Sequence, residues 1–323
     1  MMSFPESMDM TANSEYDVLS HGRMLRDEIR LKAYTDALRA SINPGDVVLE
    51  VGTGVGYFAV AAAKLGARHV FAIEPDESIY LARGVLEDNG VAERVTLIRG
   101  SALDVNLPEP ADILLSDLRG TLPLYRRHLQ VIIDARDRLT KSGATLIPRR
   151  DHLMVALVSA EKTYEYFDAP WGREEAWIDL QFVRGFSVNC WITVKGSSVR
   201  CLSEPREWTT IDYSEVRTED ASGSASLLAR DAGTAHGLLV WFDAELADGI
   251  ALSALSGQVY GQAFFPLESP LSVEEGDRVV VDLEALARMG DYVWTWNSSH
   301  VRDGMQLMEL QQSTAKSWII PPE

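Results

Sequence analysis

The chain has 323 residues, enough for one large domain or for two domains of ordinary size, and its 46% hydrophobic content is sufficient for a sizeable core. The net charge of −18, from 30 Lys and Arg against 48 Asp and Glu, argues against nucleic acid as a substrate and favours cationic or neutral ones. The two cysteines are too few for a metal-ligand cluster or a disulfide framework. We see no signal peptide and no apolar run long enough to span a membrane, which predicts a cytoplasmic protein without a membrane partner.

The first predicted element is a helical segment before the first strand. Within residues 15–40, apolar side chains recur at helical spacing between charged ones. The turn Asn43-Pro44-Gly45 then leads into the apolar run 47–51, which predicts a buried parallel strand.

A glycine-rich turn follows this strand and precedes a predicted helix at 57–65. Gly52, Gly54 and Gly56 have no Cβ, so a ligand can approach the backbone N–H groups at the start of the helix. A dinucleotide site would place its third glycine where this chain has Tyr57, which disfavours a dehydrogenase.

Two acids flank the turn. Glu74 ends the second predicted strand, where a carboxylate can accept hydrogen bonds from ribose hydroxyls. Glu50 precedes the turn and suits a cofactor whose nearby end is positively charged, unlike a pyrophosphate. S-adenosylmethionine, with a sulfonium, an ammonium and one adenosine, has this character, and we therefore predict it as the cofactor.

Strands and helices alternate as far as residue 147. The predicted strands are 47–51, 69–73, 95–98, 113–115 and 144–147, with helices at 57–65, 76–89 and 125–139. This alternation indicates an α/β fold with a doubly wound parallel sheet. Ligands bind such sheets beyond the carboxyl ends of the strands, where Gly52, Glu74, Asp104 and Asp117 lie.

The pattern changes at Pro148. Residues 152–158 and the chain after about 178 alternate apolar and polar side chains, which predicts a mostly antiparallel second domain, either a sandwich or a barrel. The aromatic and acidic bridge 164–179 is consistent with a projecting arm.

Several motifs resemble the protein arginine methyltransferase family. The run His21-Gly22-Arg23-Met24-Leu25-Arg26-Asp27-Glu28-Ile29-Arg30 is similar to the helix before the sheet in that family, and the glycine turn and Glu74 occupy its cofactor positions. Ser116-Asp117-Leu118-Arg119-Gly120 resembles the start of the family's two-glutamate loop. Residues 205–212, 236–243 and 270–277 resemble its barrel strands, so that the likeness covers about 15–300.

The resemblance implies a fold and a domain plan. Cofactor-covering helices would occupy 1–40, a Rossmann-type S-adenosylmethionine domain 41–149, and an antiparallel β-barrel 150–323. A dimerisation arm near 160–200 would make the protein a homodimer. The residues that the resemblance assigns to the cofactor are His21, Met24, Arg30, Glu50, Gly52, Gly54, Glu74, Ala102 and Ser116.

The acceptor site departs from the family pattern. The family clamps a guanidinium between two glutamates, whereas this chain has Asp117 at the first position and Arg126 at the second. A cation at the second position repels a guanidinium and removes a bidentate partner. The family's Thr-His-Trp motif is also missing, and Gln258-Val259-Tyr260 lies nearby.

These departures predict a small-molecule acceptor. Asp117 is the candidate catalytic acid, able to accept a proton or to stabilise positive charge on the acceptor. The candidate substrate contacts are Tyr16, Tyr34, Arg126 and His128.

We therefore predict an S-adenosylmethionine-dependent methyltransferase that methylates carbon or nitrogen of an indole or a similar heteroaromatic in natural-product biosynthesis. The alternatives are a protein arginine N-methyltransferase and a catalytically weak, cofactor-binding partner subunit.

Overall fold

The computed structural model describes residues 17–172, 177–195, 199–256 and 259–317. The helices are α1 (Val18–Leu25), α2 (Glu28–Ser41), α3 (Tyr57–Lys64), α4 (Ser78–Asp88), α5 (His128–Leu139), α6 (Glu161–Asp168) and α7 (Gln181–Ser187). Among the helices of these ranges, none combines the length and the apolar character that a membrane crossing needs.

The strands of the first half are β1 (Val47–Val51), β2 (His69–Glu74), β3 (Val95–Arg99), β4 (Ala111–Ser116) and β5 (Thr140–Ile147). Those of the second half are β6 (Arg150–Ser159), β7 (Ile192–Val194), β8 (Arg200–Cys201), β9 (Arg206–Asp212), β10 (Ala221–Leu228), β11 (Gly233–Ala247), β12 (Ile250–Ser253), β13 (Gln262–Val273), β14 (Arg278–Arg288), β15 (Asp291–Arg302) and β16 (Met305–Ser313).

A parallel five-stranded sheet forms the first half, in the order β3-β2-β1-β4-β5. Every residue of β1 is buried, which explains its continuous apolar run. The strand order reverses between β1 and β4, and this switch point places the Gly52 turn beside Asp117. The predicted parallel sheet of an α/β fold is confirmed.

The amino-terminal helical segment consists of two helices, α1 and α2, and its apolar periodicity gave no sign of where one ends and the next begins. Asp27 separates them: its Oδ1 accepts from the Arg30 backbone N–H at 3.0 Å and caps a new helix. α2 then packs against β11 and β12, so that its buried face, with Tyr34 and Leu38, joins the parallel sheet to the second half.

The second half consists of two antiparallel sheets. One has the order β7-β13-β11-β6-β8, with β9 on β6 and β12 on β11, and the other has the order β10-β14-β15-β16. Aromatic side chains fill the space between them: Phe265 lies 5.2 Å from Trp294 and 5.2 Å from Trp296, ring centroid to ring centroid. Tyr292, Trp294 and Trp296 are all buried, so this strand face belongs to the core.

The helices α6 and α7 leave the second half between β6 and β7, within the range predicted for an arm. An ion pair between Arg184 and Asp168 ties them together. Three apolar side chains here are strongly exposed, namely Tyr166 at 70%, Trp177 at 94% and Phe182 at 80%. Such a concentration is typical of an interaction surface.

Candidate active site

A cavity of about 1020 Å³ opens at the carboxyl ends of the parallel strands, between α1 and the second half. All of the residues that the sequence assigned to the cofactor line it: His21, Met24, Arg30, Glu50, Gly52, Gly54, Glu74, Ala102 and Ser116. Asp117, Arg126 and His128 line the same cavity.

The glycine turn lies directly under α1. Gly52 and Gly54 have φ angles of +83° and +53°, which favour glycine. A Cβ on Gly54 would lie 2.8 Å from the His21 ring, and one on Gly52 would lie 2.4 Å from Leu118 Cδ2. The turn therefore leaves no room for side chains, and α1 covers it.

Two buried carboxyl groups face this turn. Glu50 accepts from Thr53 Oγ1 at 2.7 Å, and Glu74 accepts from the Gly54 N–H at 2.8 Å. Burial raises the pKa of Glu50 to about 7, and the nearby Glu74 adds to the rise. Burial also raises the pKa of Glu74. Such a pair suits a ligand that brings positive charge and hydroxyl donors.

Ser116, at the end of β4, adds a further polar group. Its Oγ is buried and has no hydrogen-bond partner among the residues that the structure describes. A buried hydroxyl of this kind is commonly satisfied by a ligand. Together with the crowded glycine turn and the two acids, it fits S-adenosylmethionine, whose ammonium and ribose need acceptors.

Asp117 lines the cavity with a side chain that is 8% exposed and has three hydrogen-bond partners. Its Oδ2 accepts from Arg30 Nε at 2.6 Å and from the Tyr260 hydroxyl at 2.6 Å, and its Oδ1 accepts from Arg119 Nε at 3.2 Å. Burial would raise the pKa of Asp117, but the charges of Arg30 and Arg119 outweigh it and hold that pKa at about 2. At neutral pH this carboxylate is a fixed negative charge rather than a proton acceptor.

Arg119 is a buried cation beside Asp117 that the sequence did not single out. Its side chain is fully buried; Nη1 donates to Asp151 Oδ1 at 2.6 Å and Nη2 to the Tyr34 hydroxyl. The guanidinium carbon also lies 4.7 Å from the centre of the Phe242 ring. The only sequence signal is a cation two residues after Asp117 in the loop that resembles the family.

The second half contributes one wall of the cavity through the segment that precedes β13. The Val259 backbone N–H donates to Asp27 Oδ2 at 3.1 Å, which connects the loop before β13 to the start of α2. This contact positions Tyr260, whose hydroxyl reaches Asp117. In the sequence, this segment was recognised only as the place where the family's Thr-His-Trp motif is missing. Its residue Gln258 lies outside the described ranges.

Of the four predicted substrate contacts, Arg126 and His128 line the cavity, Tyr34 does not, and Tyr16 lies outside the described residues. Tyr34 is 0% exposed and lies in the core on Arg119 rather than on the cavity. His128 lines the cavity but is buried, not on an exposed helix face; its Nδ1 bonds the Pro123 carbonyl at 2.8 Å, and burial lowers its pKa to about 4. Arg126 is exposed at the cavity edge, and Tyr16 lies outside the described residues.

Comparison with known proteins decides the class. The family model of the ribosomal protein L11 methyltransferase (PrmA) matches residues 32–147. Protein arginine N-methyltransferase 6 of Danio rerio is 25% identical over 97% of this chain and 93% of its own length. The Trypanosoma brucei PRMT1 enzyme–prozyme heterotetrameric complex with AdoHcy has the same fold, with a TM-score of 0.83 at 22% identity over 91% of this chain and 97% of that one. The chain is similar to the protein arginine methyltransferases and has the fold of a class I S-adenosylmethionine-dependent methyltransferase.

The similarity to methyltransferases bears out the predicted enzyme class and the predicted cofactor, S-adenosylmethionine. The probable histone-arginine methyltransferase CARM1 of Oryza sativa subsp. indica is 30% identical over 70% of this chain, and the match covers 45% of that protein. The chain thus spans about half the length of several curated relatives that it matches, since it covers 54% of the probable protein arginine N-methyltransferase 6 of Arabidopsis thaliana.

The prediction of a small-molecule acceptor is wrong. The relatives that match this methyltransferase are named protein arginine or histone-arginine methyltransferases, which support the arginine alternative over an indole and over natural-product biosynthesis. The prediction gave too much weight to two departures from the family pattern, Arg126 and the missing Thr-His-Trp motif.

Proposed function

We propose that this methyltransferase transfers a methyl group to a side-chain nitrogen of arginine in a protein. The observation that carries the proposal is the charged Asp117 carboxylate, which shares one cavity with the cofactor acids Glu50 and Glu74. An anion at that point attracts a guanidinium to the site where the methyl group is offered. The names of the curated relatives support the same acceptor.

Different residues would bind the cofactor and the arginine acceptor. S-adenosylmethionine supplies a methyl group on a sulfonium that is already activated for displacement. Glu50 would accept from its ammonium and Glu74 from its ribose, while Arg30 would offer its Nη donors to its carboxylate. The remaining task for the protein is to orient the acceptor nitrogen and to exclude water.

Asp117 would hold the acceptor by one hydrogen bond. A carboxylate offers about four lone-pair sites, and three partners already occupy Asp117. A substrate guanidinium would therefore donate one N–H to Asp117. The negative charge of Asp117 would further orient the guanidinium by electrostatic attraction. This monodentate contact fits the replacement of the second family glutamate by Arg126.

An incubation with arginine peptides tests the proposed function. The full chain would be supplied with methyl-labelled cofactor and a peptide that contains one arginine, with the matching lysine peptide as the control. We expect methylarginine by mass spectrometry in the first peptide alone. Absence of methylarginine across a panel of arginine peptides and a whole-proteome extract would overturn the proposal.

A second candidate is a cofactor-binding subunit that supports an active partner. The crowding of Asp117 by Arg30, Arg119 and Tyr260 favours it, because this carboxylate has little capacity left for a substrate. In that case the chain alone would bind cofactor firmly and methylate nothing, and adding a related active enzyme would restore turnover above the level of that enzyme alone.

Cofactor binding should depend on the ionisation of Glu50. With a pKa of about 7, this acid is about nine-tenths protonated at pH 6, and a cationic cofactor favours its ionised form. We expect affinity to rise about tenfold from pH 6 to pH 8, with proton release at pH 6.5. Isothermal titration calorimetry in two buffers of different ionisation enthalpy measures both quantities.

The variant Glu50→Gln is the control, because it should abolish most of this pH dependence; Glu74→Gln reports the share of the second acid. A proton release unchanged in Glu50→Gln would contradict the assignment. Without cofactor, the stabilisation linked to the raised pKa of Glu50 is fully present below its ordinary value of 4.5 and is lost as pH rises through about 7.

We also infer that the protein forms a homodimer through the region of α6 and α7. The exposed side chains Tyr166, Trp177 and Phe182 support this, because an apolar patch of this kind is usually covered by a partner. Light scattering should give about twice the chain mass of 35.8 kDa, and a monomeric mass at micromolar concentration would contradict the inference.

A further inference from the structure

The connection from β3 to β4 has no helix, although the other three connections of the parallel sheet contain α3, α4 and α5. All of its residues, 100–110, lie in the described part of the chain, and we call them the β3–β4 loop. Helical backbone groups bond one another, whereas the carbonyls of a loop need other partners. The shape of this loop therefore depends on the side chains that bond it.

Arg138, in the last turn of α5, bonds the β3–β4 loop. Its Nη2 donates to the Ala102 carbonyl at 2.6 Å, and its Nη1 donates to the Val105 carbonyl and, at 3.3 Å, to Asn106 Oδ1. Asp134, one turn earlier in α5, holds the same guanidinium in an ion pair of 2.6 Å. One planar side chain therefore bridges two carbonyls of the loop, and an acid on its own helix keeps it in place.

The β3–β4 loop reaches the cofactor cavity at its first residues. Ser101 and Ala102 line the cavity, while Arg138 lies outside its lining. The peptide group between Ala102 and Leu103 has its carbonyl on Arg138, and its N–H donates to Ser101 Oγ at 3.3 Å. Because a peptide group is planar, the guanidinium on one side of it fixes the direction of the N–H on the other side. Arg138 thereby positions the Ser101 hydroxyl.

The order of the strands predicts which part of the cofactor meets this loop. The cavity is lined by residues at the ends of β4, β1, β2 and β3, which are neighbours in the sheet in that order. Glu50 on β1 is the proposed partner of the ammonium, and Glu74 on β2 is that of the ribose. Adenine is attached to the ribose on the side away from the sulfur, so it would lie one strand further along, at the end of β3.

We propose that Arg138 is a positioning residue for the adenine of S-adenosylmethionine. It holds the β3–β4 loop so that Ser101 and the backbone of Ala102 present their polar groups to the edge of the base. A hydroxyl can donate one hydrogen bond and accept two, and a peptide unit supplies one donor and one acceptor, which suits the ring nitrogens and the amino group of adenine. The inference depends on the cofactor and not on the proposed arginine acceptor.

Calorimetric titration of the full chain with S-adenosylhomocysteine, which carries the same adenine, tests the proposal. Arg138→Gln should weaken binding about tenfold, because the loop loses the donors that fix its two carbonyls. The proton release at about pH 6.5 reports the Glu50 end of the cavity and should equal that of the wild type. A role in the general stability of the fold would not spare one end of the ligand in this way.

Two further variants locate the effect. Ser101→Ala should weaken binding by itself, and adding Arg138→Gln to it should cost only about threefold more, because both changes act on the same contact. Arg94→Gln is the matched control: Arg94 Nη1 donates to the Ala63 carbonyl at 2.6 Å, and both residues lie outside the cavity lining. Its loss should change the affinity by less than about twofold. Thermal melting of each variant checks that the fold is retained.

Wild-type affinity in Arg138→Gln would overturn the inference, and so would an equal loss in Arg94→Gln or full additivity with Ser101→Ala. If Arg138→Gln does not fold, Arg138→Lys decides instead. It keeps a cation beside Asp134 but has one nitrogen in place of the fork, so we expect about threefold weaker binding, and wild-type affinity would overturn the inference. Formation of methylarginine, or its absence, bears on the arginine acceptor alone and leaves this test unaffected.

Discussion

Replacing Asp117 with asparagine is expected to slow methyl transfer to an arginine peptide by about 100-fold or more. The substitution keeps the shape of the side chain but removes the fixed negative charge, which Arg30 and Arg119 maintain at neutral pH by holding the pKa of Asp117 at about 2. Initial rates at saturating cofactor measure the effect. Cofactor affinity, measured by calorimetry, should change by less than about threefold, because the proposed cofactor acids are Glu50 and Glu74.

Two further variants make this prediction specific. Asp117→Glu retains the charge and should recover part of the lost rate. Asp282→Asn removes an exposed carboxylate on β14, outside the cavity, and should leave the rate unchanged. Wild-type turnover by Asp117→Asn, in protein that melts as one folded species, would show that the carboxylate plays no part in the reaction.

Replacing Arg119 with methionine is expected to lower the free energy of unfolding by about 3–5 kcal/mol. Methionine is close in length but removes the cation that bonds Asp151 and Asp117, and both carboxylates would remain buried with less compensation. The loss should be large because Arg119 joins the loop after β4, α2 and the second half of the molecule. Urea unfolding followed by tryptophan fluorescence measures it.

A second substitution shows whether the buried charge is the cause. Asp151→Asn, added to Arg119→Met, removes one of the stranded carboxylates and should restore about 1–3 kcal/mol of the loss. Tyr213 can still donate to the amide oxygen at position 151, as it does to Asp151 Oδ2 at 2.5 Å. Arg278→Met, at an exposed arginine on β14, should stay within about 0.5 kcal/mol of the wild type. A loss below 1 kcal/mol for Arg119→Met would contradict the role of this network.

The parallel sheet and the cofactor cavity could be predicted because their signals are local. The buried strand β1 is a continuous apolar run, and the glycines that follow it have φ angles that side chains rarely adopt. The break at Asp27 was missed, since apolar periodicity continues through a helix cap. The burial of His128 was not predicted, because nothing in its neighbourhood in sequence indicates it.

The acceptor was mispredicted for a different reason. Two departures from the family pattern were interpreted from the sequence alone: the missing Thr-His-Trp motif, and Arg126 as a cation facing a substrate guanidinium. In the structure the charge balance of the site also depends on Arg119, which pairs with both Asp117 and Asp151. The sequence contains each of these residues without indicating that they meet.

The sequence by itself determined the α/β class, the glycine turn with its two acids, and hence the cofactor, because each depends on residues within one βα unit or on the regular spacing of strand ends. Only the tertiary structure decided the state of Asp117. Its partners Arg30 and Tyr260 lie 87 and 143 residues away along the chain, and they bond the same carboxylate oxygen. Charge and pKa depend on distance in space, which a linear pattern does not contain until the chain has folded.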